Sequence, residues 1–146
     1  MRFALSEQKQ SVQFDSSAFV ADPELIRVLE TRSIPVECNT DRVLFNQDES
    51  ASGVYILHKG AATLTMNAKD GRRIFSIQAI PGSLLGLPAL ISDQPYSLTA
   101  VANAGAQVGF VSRADFFALV QADPLLSLKM LQVLAAEVRT ARQALR

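Results

Sequence analysis

The chain has one cysteine, one histidine, no net charge and no long apolar run, and each shortage closes off a class of protein. With Cys38 alone there is no intrachain disulfide and no multi-thiolate zinc site, and a reducing compartment fits best. With His58 alone, most histidine-based metal sites and any multi-histidine catalytic cluster are removed. Fourteen basic residues balance fourteen acidic ones, so the chain as a whole carries neither a nucleic-acid footprint nor a membrane-binding patch. No uninterrupted apolar stretch approaches the roughly 20 residues that a bilayer span needs. Met1 to Gln10 is polar and mixed in charge, without the apolar core of a signal peptide, so the expected location is cytoplasmic.

What is present is enough for one core. The 146 residues are 49% hydrophobic and 19% charged, which fits a single domain ordered by burial without disulfide or metal. Asp22, ahead of Pro23, is placed to cap a short helix whose apolar residues Leu25, Val28 and Leu29 repeat at three and four, ending near Arg32. Short strands follow: Ile34 to Glu37, Arg42 to Phe45, Val54 to His58, Ala61 to Met66 and Arg73 to Gln78. Lys69-Asp70-Gly71 reads as the hairpin turn before Arg73, with Gly71 free to take a positive φ. The stretch from Ala79 to Ala100 is punctuated by Pro81-Gly82, Gly86, Pro88, Asp93 and Pro95, with room for one or two helical turns over Leu87 to Ile91. Strands resume at Leu98 to Asn103 and Gln107 to Ser112. Ser112, with Asp115 three residues on as the acidic half of a capping box, starts one helix, and Asp123-Pro124 starts the last.

The expected division is therefore a β-rich unit with an N-terminal helical segment over residues 1–124 and a helix over 125–146. In that helix Leu131, Leu134, Val138, Ala141 and Leu145 recur at alternating spacings of three and four, a seam that two copies would bury against each other. Ala135, Ala136 and Ala144 permit close approach. The other reading is that the stripe packs back on the β unit.

The order of turns and strands carries a resemblance. Arg42-Val43-Leu44-Phe45-Asn46-Gln47-Asp48, Gly53-Val54-Tyr55-Ile56-Leu57-His58-Lys59-Gly60, Gly71, Pro81-Gly82-Ser83-Leu84-Leu85-Gly86-Leu87-Pro88-Ala89-Leu90-Ile91 and Phe116-Phe117-Ala118-Leu119-Val120 follow one another. The stretch from Arg42 to Pro124 resembles the cyclic-nucleotide-binding domain of the catabolite activator and fumarate-nitrate regulator (Crp/Fnr) superfamily. The resemblance implies a mainly β fold with flanking helices, a double-stranded β-helix of the β-roll or jelly-roll kind, with a long C-terminal helix. It implies a ligand pocket between Gly82 and Ala100, drawn from Gly82, Ser83, Leu84, Leu85, Gly86, Leu87, Pro88, Tyr96, Ser97, Leu98 and Thr99.

Two of the family's three side-chain anchors are changed. Leu87 stands where the family has a glutamate for the ribose hydroxyl, and Tyr96 stands where it has the phosphate-pairing arginine, while Ser97 matches the small hydroxyl residue that follows. A phenol cannot make the paired charge-assisted bonds of a guanidinium. Losing such a buried partner costs on the order of 2–5 kcal/mol, so tight binding of cyclic AMP or GMP is not expected. The pocket is then either filled by Leu84, Leu85, Leu87 and Tyr96, leaving a dimerisation or protein-interaction module, or it takes another small ligand with Tyr96 and Ser97 as polar contacts.

The remaining singular residues have ordinary readings. Tyr55, Phe75, Phe45, Phe110, Phe116 and Phe117 are expected as packing residues, His58 as an exposed strand end, and Cys38 as a small packing residue. Arg72, Arg73, Arg139, Arg142 and Arg146 are expected as solvated surface. Too little chain follows Leu145 for the helix-turn-helix that DNA-binding members carry, so direct DNA binding is not expected. A cupin-like metalloenzyme would lack its histidine ligands. The expectation is a regulatory or ligand-sensing domain without cofactor or metal, a homodimer through its last helix, with an unidentified small ligand or protein as further partner and no membrane association.

Overall fold

The computed structural model describes residues 16–144. A short 3-10 turn (Ser16–Phe19) precedes helix α1 (Pro23–Glu30), where the Asp22 carboxylate accepts from the amides of Glu24 at 2.8 Å and Leu25 at 3.4 Å. These are the amides that the first turn of a helix leaves without a partner. The strands are β1 (Ile34–Val36), β2 (Arg42–Phe45), β3 (Gly53–Lys59), β4 (Ala62–Asn67), β5 (Arg73–Ala79), β6 (Leu84–Leu85), β7 (Thr99–Ala102) and β8 (Gln107–Ser112). Helix α2 (Leu87–Ser92) interrupts them, and α3 (Arg113–Ala122) and α4 (Pro124–Ala144) close the chain.

The strands form two four-stranded antiparallel sheets, ordered β1-β8-β3-β6 and β2-β7-β4-β5. Between them lies an inner core that includes Phe45, Leu57, Leu64, Leu85, Tyr96 and Val108. Alternation along β3 sends Leu57 into this core and its neighbour Ile56, with Val54, to the opposite face of the sheet. There a second core packs under the helices, with Leu25 and Leu29 of α1, Phe116 of α3, and Leu126, Met130 and Val133 of α4. This is the jelly-roll architecture of a β-roll flanked by helices.

Local chemistry sets the turns. In the β4–β5 hairpin Gly71 takes φ +90° and the Ala68 amide donates to the Arg72 carbonyl at 2.7 Å. Ser112 caps α3 by accepting from the Asp115 amide at 3.2 Å. The Asp115 carboxylate accepts from Arg32 Nη1 at 2.9 Å, so it ties α3 to the end of α1. Strand β7 is shorter than the sequence pattern suggests, which leaves Tyr96, Ser97 and Leu98 in an irregular segment beside α2.

Helix α4 folds back along the domain. Leu126, Met130 and Val133 face inward, and Lys129 Nζ reaches Asp22 Oδ2 at 3.1 Å, so one carboxylate caps α1 and pins α4. The Lys129 hydrogen bond, more than any other contact, holds the Asp22 carboxyl below its ordinary value of 3.8. The expected seam is divided by this docking. Leu131 and Val138 are 61% and 50% exposed, while Leu134 and Ala141 are half-buried and line a groove against the roll. Leu145 lies outside the described residues. No single helix among the described residues is long and apolar enough to cross a membrane.

Candidate functional site

The segment from Gly82 to Thr99 brings the site residues to four different places. Ser83 is buried and donates to the Ile80 carbonyl at 2.6 Å, and the Gly82 carbonyl accepts from the Ala21 amide at 3.0 Å, so both serve the turn. Leu84 and Leu87 are fully buried in the core beneath the helices, away from the pocket, Leu84 because consecutive residues of β6 point to opposite sides and Leu87 from the first turn of α2. The filling expected of Leu84 and Leu87 is therefore applied to that other core. Thr99 Oγ1 accepts from the Gln47 amide at 2.9 Å. The rest, Leu85, Gly86, Pro88, Tyr96, Ser97 and Leu98, line one small cavity of about 40 Å³ together with Phe19, Phe45, Leu64, Ala89 and Glu137. That volume holds a few waters and not a nucleotide.

Tyr96 dominates the cavity. Its hydroxyl donates to the Gly53 carbonyl at 2.7 Å and accepts from the amides of Ser52 at 3.1 Å and Gly53 at 3.2 Å. Its ring stacks on Phe45 with centroids 3.9 Å apart and planes 16° from parallel. Its main chain is held as well, the amide donating to the Glu49 carbonyl at 2.9 Å and the carbonyl accepting from the Asp48 amide at 2.7 Å. The phenol has thus used its donor and both acceptor positions on backbone groups, which leaves nothing for a ligand. Gly86 makes room for it: at φ +92°, a Cβ there would stand 2.9 Å from Tyr96 Cε1.

The sequence reading passed over Glu137. The inward stripe of α4 runs Leu126, Met130, Val133 and then, one turn on, Glu137, which enters the cavity wall from the helix side. Its Oε2 is buried and makes no hydrogen bond among the described residues. Burial alone pushes its carboxyl from 4.5 up to about 8. In the sequence the only sign of it is a four-residue step from an apolar stripe onto an acid, and that step has meaning only once Leu126, Met130 and Val133 are known to face inward. On its outer side Glu137 also borders the groove between α4 and the roll, about 300 Å³ and lined by Phe19, Met66, Phe75, Leu98, Val138 and Ala141 among others.

The other candidates lie apart from this site. Cys38 is buried, its thiol pushed up by desolvation, and donates to the Val36 carbonyl at 3.5 Å. His58 Nδ1 lies 3.7 Å from a Glu30 carboxylate oxygen. Among the described residues no three His, Cys, Asp or Glu side chains stand together as a metal site.

A β-roll with this interrupted segment and a helix laid over it has counterparts among known proteins. The family model described as "Cyclic nucleotide-binding domain" matches residues 35–123. The chain is 32% identical over 99 residues to the transcriptional activatory protein AadR of Rhodopseudomonas palustris, an overlap of 68% of this chain and 40% of AadR. Among solved structures, the Thermus thermophilus catabolite activator protein superposes with a TM-score of 0.74 at 22% identity, over 85% of this chain and 58% of that one. FixK2 of Bradyrhizobium japonicum superposes with a TM-score of 0.65 at 26% identity, over 76% of this chain and 55% of that one. The chain spans about 40% of the length of the curated relative and under 60% of these two solved chains. It belongs to the cyclic-nucleotide-binding domain family.

Proposed function

We propose that this domain works without cyclic nucleotides, as a cytoplasmic regulatory module in which residues 1–124 form the sensing unit and residues 125–146 the dimerising helix. The observation that carries the first part is Tyr96. It stands where the resemblance places the phosphate-pairing arginine, and its hydroxyl is bonded to Ser52 and Gly53. Among the described residues no lysine or arginine lines the cavity, and its one acid, Glu137, offers a phosphate no counter-charge. A cyclic phosphate brought here would lose its water and gain no counter-charge. Calorimetry of the purified chain with cyclic AMP and cyclic GMP should give no saturable heat at submillimolar concentration. A dissociation constant in the low micromolar range would overturn the reading.

The dimer is supported by the outward face of α4. Leu125, Leu128, Leu131 and Val138 are 69%, 56%, 61% and 50% exposed along one helix, an apolar strip that water disfavours. A second copy laid along the strip would cover it in the manner of a coiled-coil seam. Light scattering across concentration tests this, and a monomer at high micromolar concentration would sink it.

A further inference from the structure

We propose that the groove between α4 and the β-roll, with the small cavity behind it, binds an apolar primary amine whose nitrogen sits on the Glu137 carboxyl. The proposal rests on the reading that the domain responds to something other than a cyclic nucleotide, and it adds the place and the chemistry of that effector. Glu137 Oε2 is buried without a partner, at a helix position where an apolar side chain would continue the stripe of Leu126, Met130 and Val133. A buried acceptor left unpaired is costly, and a ligand donor removes that cost. The outer groove of about 300 Å³ is at the low end of small-molecule sites and suits a body of one ring.

The lining decides the class of ligand. Groove and cavity share Phe19, Pro88, Ser97, Leu98 and Glu137, so a molecule seated in the groove reaches the acid directly. Elements packed against Glu137 face it with Phe19 from the 3-10 turn, Pro88 from α2, Ser97 and Leu98 from the irregular segment and Phe75 from β5. None of these is charged, and Tyr96, the other titratable group of the lining, is held by Gly53. An anion therefore finds no counter-charge, whereas an ammonium finds a carboxylate and nearby aromatic faces. Since burial keeps the Glu137 carboxyl protonated up to about pH 8, an ammonium arriving from neutral water displaces one proton from it to solvent. The product is an ammonium–carboxylate pair, with charge balanced by the proton released.

The probe is phenethylamine, with phenylacetate as the control of like shape and opposite charge and cyclic AMP as the family ligand. Titration calorimetry in two buffers of different ionisation enthalpy should show saturable phenethylamine binding with release of nearly one proton at pH 7. Its affinity should rise about tenfold from pH 6 to 7 and level off as the pH passes about 8, because deprotonation of Glu137 is then supplied by the solution. Phenylacetate should not bind. Glu137→Gln should weaken phenethylamine at least tenfold and abolish proton release, and Ala141→Phe, which fills the groove and leaves the acid in place, should block it. Absence of saturable amine binding, equal binding of phenylacetate, or an unchanged affinity in Glu137→Gln overturns the proposal. Failure of the amine together with failure of cyclic AMP removes this inference alone, whereas tight cyclic AMP binding removes the reading beneath it.

Discussion

Glu137→Gln exchanges a titratable oxygen for an amide nitrogen in nearly the same volume, so it separates charge from shape at the one buried, unpartnered acid described in this chain. In the folded protein burial raises the carboxyl from 4.5 to about 8, while in the unfolded chain it returns to the ordinary value. Between those two pH values the native state holds a proton that the unfolded state has released. Unfolding thus sheds protons, and stability from this group is complete below about 4.5 and falls as the pH rises through about 8. At about 1.4 kcal/mol per unit, the loss across the window is on the order of 5 kcal/mol, and on the order of 3 kcal/mol by pH 7. For a domain of this size that corresponds to a melting temperature lower by about 10 °C at pH 8 than at pH 5, from this group alone. Urea or thermal unfolding at pH 5, 6, 7 and 8 measures it in both proteins. Glutamine carries no such titration, so the difference in stability between Glu137→Gln and the parent should grow with pH in favour of the variant. Parallel pH profiles would refute the reasoning, because they would mean that the carboxyl is solvated in the folded state.

Other substitutions test the rest of the site. Tyr96→Phe leaves the Gly53 carbonyl and the Ser52 and Gly53 amides without their partner and should lower unfolding stability by about 2–3 kcal/mol in urea, with the Phe45 stack retained. Gly86→Ala must hold φ +92° and push its Cβ against Tyr96, so it should be destabilised by at least about 1–3 kcal/mol, measured the same way. Leu131→Asp with Val138→Asp places charge on the outward strip of α4 and should halve the mass seen by light scattering without changing the melting temperature of the monomer. The Asp22 carboxyl, held low by Lys129, adds an opposite trend at the acid end: its contribution is present above 3.8 and is lost as the pH falls below that, and Lys129→Met should remove it from the acid unfolding curve.

Much of the fold could be read from local chemistry. Asp22, Ser112 and Asp123 each accept from first-turn amides, and Gly71 turns the hairpin, because caps and positive-φ turns depend on residues within three positions of each other. That Tyr96 lies in the punctuated segment beside Gly86 was equally legible. What the sequence did not disclose is direction. Whether the phenol points to a ligand or into the wall is decided by Gly53, 43 residues away. Similarly, the two stripes of α4 are both apolar for part of their length, and the choice of which one docks is made by Leu25, Leu29 and Phe116 across the second core. Glu137 became visible only when that choice was fixed, and it then stood at the end of the buried stripe.

The bonds of Tyr96 have a consequence for redesign. An arginine introduced at this position would abandon one carbonyl and two amides in the loop that closes against it, and would meet an acid across the cavity before any phosphate arrived. A single substitution at residue 96 therefore cannot install a phosphate site without costing the loop these bonds.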